Sequence, residues 1–146
     1  MAINKKTLTA ANSIILFRCP GIYDNFVQLQ DYQADNIFNL GDITLAQTVA
    51  GADGILSGGY VFNAQTFGLN LEANSRSLPI LENCAESFIK NKEIVVVEFQ
   101  IVLPSIGKEA FLEGFYTQHS GVSATKLLQG SQSVFEVTPT AFKEIA

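Results

Sequence analysis

The chain has 146 residues, a formal net charge of −5 and a sequence pI near 4.7, with 47% hydrophobic and only 16% charged residues. That length fits one domain able to bury roughly two thirds of the surface its unfolded form exposes, and the composition excludes wholesale disorder. The acidic balance disfavours a surface that grips nucleic acid, which needs clustered Lys and Arg to displace counterions.

In chain order, residues 1–13 read as a polar N-terminal arm carrying Lys5 and Lys6. The apolar run behind it, Ile14 to Phe17, is too short for a signal-peptide core or a bilayer span, so the expectation is synthesis inside the cell and no membrane anchor. Cys19 and Cys84 lack CxxC or histidine spacing; they could pair only if the fold brought them together, and are expected as two buried thiols. Period two marks half-buried strands over Phe26 to Gln30, Ile43 to Thr48 and Phe67 to Glu72, each with one wet face. Asp24, Asp31 and Asp35 lack EF-hand spacing and fall beside the first of these strands.

The segment GADGILSGGYVF, Gly51 to Phe62, places four glycines around the apolar pair Ile55 and Leu56. A connection that only turned the chain would be shorter and polar. Residues 51–60 are therefore expected to protrude and to touch another molecule; the segment lacks the Lys-Ser/Thr ending of a phosphate loop and leads into a strand.

Leu78 to Asn91, LPILENCAESFIKN, breaks the alternation. Leu81, Cys84, Ala85 and Phe88 recur at helical spacing, opposite Glu82, Asn83, Glu86 and Lys90. Ser77 is expected to cap this helix, Pro79 suits its first turn, and Lys90 and Lys92 suit its C-terminal pole. The strongest strand signal follows in Glu93 to Leu103, with Val95, Val97, Phe99, Ile101 and Leu103 on one face. PSIGKE turns the chain, and Ala110 to Gln118 returns as its partner with Phe111 and Phe115 available to pack. The loop GVSATKLLQGSQ carries Lys126, Leu127 and Leu128, and a last strand, Ser133 to Thr138, stops at Pro139. The chain thus predicts a single domain over 1–146: mainly β, a sandwich or part-closed barrel of about seven strands with one flanking helix at about 78–91 and extended loops.

Chemistry-bearing patterns are sparse. His119 is the lone histidine and is expected as a solvated turn residue rather than a base. Glu93, Glu98 and Glu113 could face one another across the long hairpin in the way a glycosidase pair would, but without Trp to build a sugar platform they are expected as solvated charges. No catalytic residue, cofactor or metal ligand is assigned. Instead, the arm, the Ile55 and Leu56 loop and the Leu127 and Leu128 loop each carry apolar side chains away from the scaffold. Self-assembly is the physical way to bury them. The expected subunit interface is Gly54, Ile55, Leu56, Gly58, Gly59, Tyr60, Leu127 and Leu128.

The run DGILSGGYVFNAQTFGLNLEANSRSLPILENC, followed by VLPSIGKEAFLEGFYTQHSGVSATKLLQGSQSVFEVTP, resembles the tail tube proteins of long-tailed bacteriophages, the major tail protein family, over about Val27 to Pro139. The landmarks are the glycine-rich hairpin before a strand that ends in Ala-Asn-Ser, the helix, the LPSIGK turn and the Lys-Leu-Leu-Gln approach to the final strand. The resemblance implies a non-enzymatic structural virion protein, made in the bacterial host cytoplasm and located in the tail. It implies homo-oligomeric rings, commonly hexameric, stacked into a tube with other tail proteins, through which DNA is ejected without specific binding. The arm and the 51–60 loop would reach between rings, and Gln28, Gln30, Asn70 and Glu72 are lumen candidates. The alternatives are a small-ligand-binding β-barrel or hydrolase, suggested by the aromatics and the carboxylates near Glu98, or a related secretion-system tube or tail terminator.

Overall fold

A computed structural model describes residues 2–33, 36–94 and 96–145 of the protein. Asp35 and Val95, named above, lie outside the described residues.

The main sheet is antiparallel throughout. It consists of β1 (Ile14–Cys19), β2 (Tyr23–Gln28), β3 (Phe38–Leu40), β6 (Gln65–Leu71), β7 (Val96–Leu103), β8 (Lys108–Ser120) and β11 (Ser131–Val137), in the order β2-β1-β7-β8-β11-β6-β3, with β12 (Lys143–Glu144) added on β8. Two further pairs stand apart: the hairpin of β4 (Ala46–Ala50) with β5 (Leu56–Tyr60), and that of β9 (Ser123–Ala124) with β10 (Leu128–Gln129). Among the described residues one helix is present, α1 (Leu78–Asn91).

The sheet is strongly curved. β6 and β7 are separated by β8 and β11, so on a flat sheet they would lie roughly 14 Å apart. Yet the rings of Phe67 on β6 and Phe99 on β7 are 5.0 Å apart. Phe17 and Phe135 pack on Phe99 at 5.2 and 4.7 Å, and Phe135 also lies 5.9 Å from Phe67. Alternation supplies this core: Ile15, Phe17 and Cys19 from β1, Val97, Phe99 and Ile101 from β7, and Phe135 and Val137 from β11 are all buried. After β2 the chain crosses the open side of the curve. Leu29 N–H donates to the Ile15 carbonyl, Gln33 N–H to Asn70, and Glu72 N–H to Asp31. The result is a part-closed sandwich with α1 packed over it through Leu78, Leu81 and Cys84, with Ala85 and Phe88 half-buried beside them.

Several expectations are corrected. Phe111 and Phe115 are exposed, because Ala110, Leu112 and Tyr116 hold the inward phase of β8. The Ile43 to Thr48 strand is shifted to β4, which is exposed on both faces. Phe67 to Glu72 does not have a wet face throughout, since Asn70 is buried where Gln33 and Ile37 bond to its backbone. Ser77 occupies the N-cap position but makes no side-chain cap bond; its hydroxyl accepts the N–H of Gln30 instead. Lys92 ends the helix in the left-handed region at φ 53°, its N–H donating to the Phe88 carbonyl.

Candidate assembly surface

The glycine-rich segment folds as the tip of a β-hairpin. Gly51 N–H donates to the Ile55 carbonyl, Gly54 N–H to Gly51, and Ile55 N–H to the Asp53 carboxylate. Gly54 has φ +84°, a conformation that glycine adopts without strain. Beyond the tip Ala50 pairs with Leu56 and Ala46 with Tyr60. β4 and β5 pair only with each other, and every residue of both is exposed. Their apolar side chains are large: Val49 is 72% exposed, Ile55 63%, Leu56 67% and Tyr60 70%. Phe62 continues this surface, its ring 5.0 Å from that of Tyr60.

The second predicted loop is also a small hairpin. Leu128 pairs with Ala124 and Gln129 with Ser123, which leaves Leu127 and Leu128 exposed beside Lys126. Its base is constrained at Gly130, where a Cβ would come within 2.3 Å of the Leu71 carbonyl oxygen. Gly54, Gly58 and Gly59 are exposed with the first hairpin. The eight expected interface residues therefore divide between two separate hairpins, and both hairpins present them to solvent in the single subunit.

Two of the four lumen candidates are exposed in the single subunit. Gln28 is exposed in the edge strand β2 and Gln30 is half-buried; Glu72 is exposed just beyond β6, and Asn70 is 5% exposed. The arm is exposed over residues 2–12 and lies by the β7–β8 turn, where the Ser105 hydroxyl is 3.0 Å from both the Thr9 carbonyl and Asn12 Oδ1. A groove of about 420 Å³ runs beneath it, lined in part by Leu8, Phe38 and Ile106.

The outer face of the main sheet carries the paired carboxylates. Glu98 stands directly opposite Glu113, and its other neighbour is Arg18, which forms an ion pair with it and lies 5.0 Å from the Phe26 ring centroid. Glu93 precedes β7 and is exposed. One of the two carboxylates is thus already neutralised by a guanidinium, and the exposed Phe111 and Phe115 stand on the strand that carries the other.

His119 is not a turn residue. A bulge at Thr117, where Tyr116 pairs with Phe135 and Gln118 with Val134, brings His119 back to the side of Ser133. Tyr116 Oη then lies 2.6 Å from His119 Nδ1 and 2.7 Å from Ser133 Oγ. Burial pushes the Tyr116 hydroxyl well above the usual phenol range, so it serves as a hydrogen-bonding post between strands. Asp31, at φ 60°, accepts from the backbone and side chain of Arg76, and this pairing lowers its carboxyl below the usual range. Among the described residues no group of three or more His, Cys, Asp or Glu side chains is placed to hold a metal, and no helix is long and apolar enough to cross a membrane.

No protein-family model matches the chain, and no curated protein matches it in sequence. Solved structures do match in fold. A chain of the sheath–tube complex of PVC, an extracellular contractile injection system, in its extended state aligns over 95% of this chain and 93% of its own, with TM-score 0.61 and 8% identity. A chain of the PVC sheath/tube terminator aligns over 94% and 96%, with TM-score 0.59 and 8% identity. A chain of the anti-feeding prophage cap, the cap that terminates the anti-feeding prophage tube, aligns over 99% and 95%, with TM-score 0.56 and 9% identity. The chain thus shares its fold with chains of these tube and tube-end assemblies.

Proposed function

We propose that this chain is a non-enzymatic structural subunit of a phage-like tail tube, which assembles with copies of itself and with other tail proteins. The observation that carries this reading is the β4–β5 hairpin. A lone two-stranded hairpin is marginal in water, and this one places Val49, Ile55, Leu56 and Tyr60 in solvent. A neighbouring copy that covers it would remove that apolar area and hold its strands in place. The finer reading follows the resemblance to long-tailed phage tail tubes: rings, hexameric in number, stacked into a virion conduit. The net charge of −5 suits a wall along which DNA slides without sticking.

A second reading is a ring that ends the tube; the terminator and cap among the similar folds favour it. The ligand-binding barrel is disfavoured, because Phe17, Phe67, Phe99 and Phe135 fill the space a ligand would occupy.

Electron microscopy and sedimentation of the purified chain at high concentration test the proposal. Long tubes support the tube subunit, single closed rings support the tube end, and persistent monomers overturn both. Ile55→Asp with Leu56→Asp is expected to abolish stacking while circular dichroism and thermal unfolding of the subunit stay unchanged, since both side chains lie outside its core.

A further inference from the structure

We infer that Cys19 and Cys84 are a site of disulfide formation, poised to staple α1 to β1 when the protein meets a small disulfide oxidant. The two residues are 65 positions apart in sequence, one at the end of β1 and one on the buried side of α1. Their Sγ atoms lie 3.6 Å apart, both are free thiols, and both are fully buried. A disulfide requires about 2.05 Å, so the sulfurs need to approach by about 1.5 Å.

Both elements can supply that movement. Pairing of β1 with β2 shifts register between Phe17 and Cys19, so Cys19 sits at an irregular strand end rather than inside a rigid ladder. α1 is held by side chains, through its apolar face and the Asn83 amide on the Tyr23 hydroxyl, and it shares no sheet hydrogen bonds. A small tilt of the helix therefore moves Cys84 without breaking a strand pair.

The reaction balances as two exchanges. A thiolate of the pair attacks one sulfur of a disulfide of the glutathione class, forming a mixed disulfide and expelling one glutathione thiolate. The second protein thiolate attacks the protein sulfur of that mixed disulfide and expels the other. The two protein thiol protons end on the two glutathione thiolates, and the two electrons lost by the cysteine pair reduce the added disulfide. Burial pushes both thiols up, which slows the first attack in the closed fold. Exchange accordingly proceeds during folding or when α1 lifts. The pair stays reduced in a reducing cytoplasm and closes in oxidising surroundings, and this holds whether or not the chain forms a tube.

The test refolds the full chain from urea in a buffer of oxidised and reduced glutathione, then labels remaining thiols with a maleimide under denaturing conditions and weighs the intact chain. The expected product is an unlabelled monomer lighter by two hydrogens, whose Tm is about 10 °C higher than that of the reduced chain and falls back with dithiothreitol. Cys19→Ala and Cys84→Ala are each expected to lose both the mass change and the Tm gain. Two labels per chain after oxidative refolding, cross-links only between chains, or a disulfide that lowers Tm would each overturn the inference; the wild-type result decides even if a variant fails to fold.

Discussion

At the scale of single residues, the polar groups that matter are those the curved sheet brings together. Tyr32 follows β2 on the segment that crosses to β6, and its hydroxyl donates to the Leu29 carbonyl. Burial pushes its pKa up to about 12, from an ordinary value of about 10. The folded state thus favours the neutral phenol. Its contribution is complete below about pH 10 and is lost as pH rises through about 12. Tyr32→Phe is expected to cost about 1 kcal/mol near neutral pH, through the lost hydrogen bond, and to flatten the alkaline loss of stability. Urea unfolding at neutral and alkaline pH measures both effects. In the sequence, Tyr32 is one aromatic in a polar stretch, and nothing local foretells the carbonyl it meets. His119 is equally opaque, because its position depends on a bulge on the strand it belongs to and on a partner strand.

At the scale of elements, the helix was the most legible. Its limits, Leu78–Asn91, and the buried side of Leu81 and Cys84 follow from local periodicity, which neighbouring elements did not override. The role of Ser77 did not follow. A serine before a helix reads as a cap, but here a long-range contact takes its hydroxyl: Gln30 N–H donates to it at 2.7 Å. Ser77→Ala is therefore expected to leave helix content unchanged by far-ultraviolet circular dichroism. It should destabilise the fold by about 1–3 kcal/mol, because it strands the Gln30 N–H at a part-buried site. A fall in helix content with no change in global stability would contradict this assignment. The β8–β11 pair has its own sensitive point at Gly114, where a Cβ would come within 2.0 Å of the Glu136 carbonyl oxygen and 2.6 Å of Val137 Cα. Both are backbone atoms, so the strands themselves must part. Gly114→Ala is expected to cost about 2–3 kcal/mol, read as a lower denaturant midpoint. The inward phase of β8 is not legible in its aromatic residues: these mark the apolar face of a typical strand, but here Phe111 and Phe115 belong to the outer one.

At the scale of the whole molecule, two exposed hairpins invite separate tests. The β4–β5 hairpin stands apart from the main sheet with its own aromatic pair, Tyr60 and Phe62. The β9–β10 hairpin follows β8 and returns into β11 within the main sheet. If both are buried between copies, Leu127→Asp with Leu128→Asp should weaken assembly in addition to the effect of the Ile55 and Leu56 pair, with the subunit's Tm unchanged. Analytical ultracentrifugation of each double variant and their combination separates the contributions; unaltered assembly in the Leu127 and Leu128 variant removes that hairpin from the interface. Sequence by itself determined the mainly β character, the helix and the exposure of the apolar pair Ile55 and Leu56, because these depend on period, glycine placement and burial drive along a short stretch of chain. Only the tertiary structure decided that the sheet curls until Phe67 meets Phe99, that Cys19 lies against Cys84, and which face of β8 is wet. Those outcomes depend on contacts between residues far apart in the chain, where register and curvature choose the partner and local pattern carries no record of it.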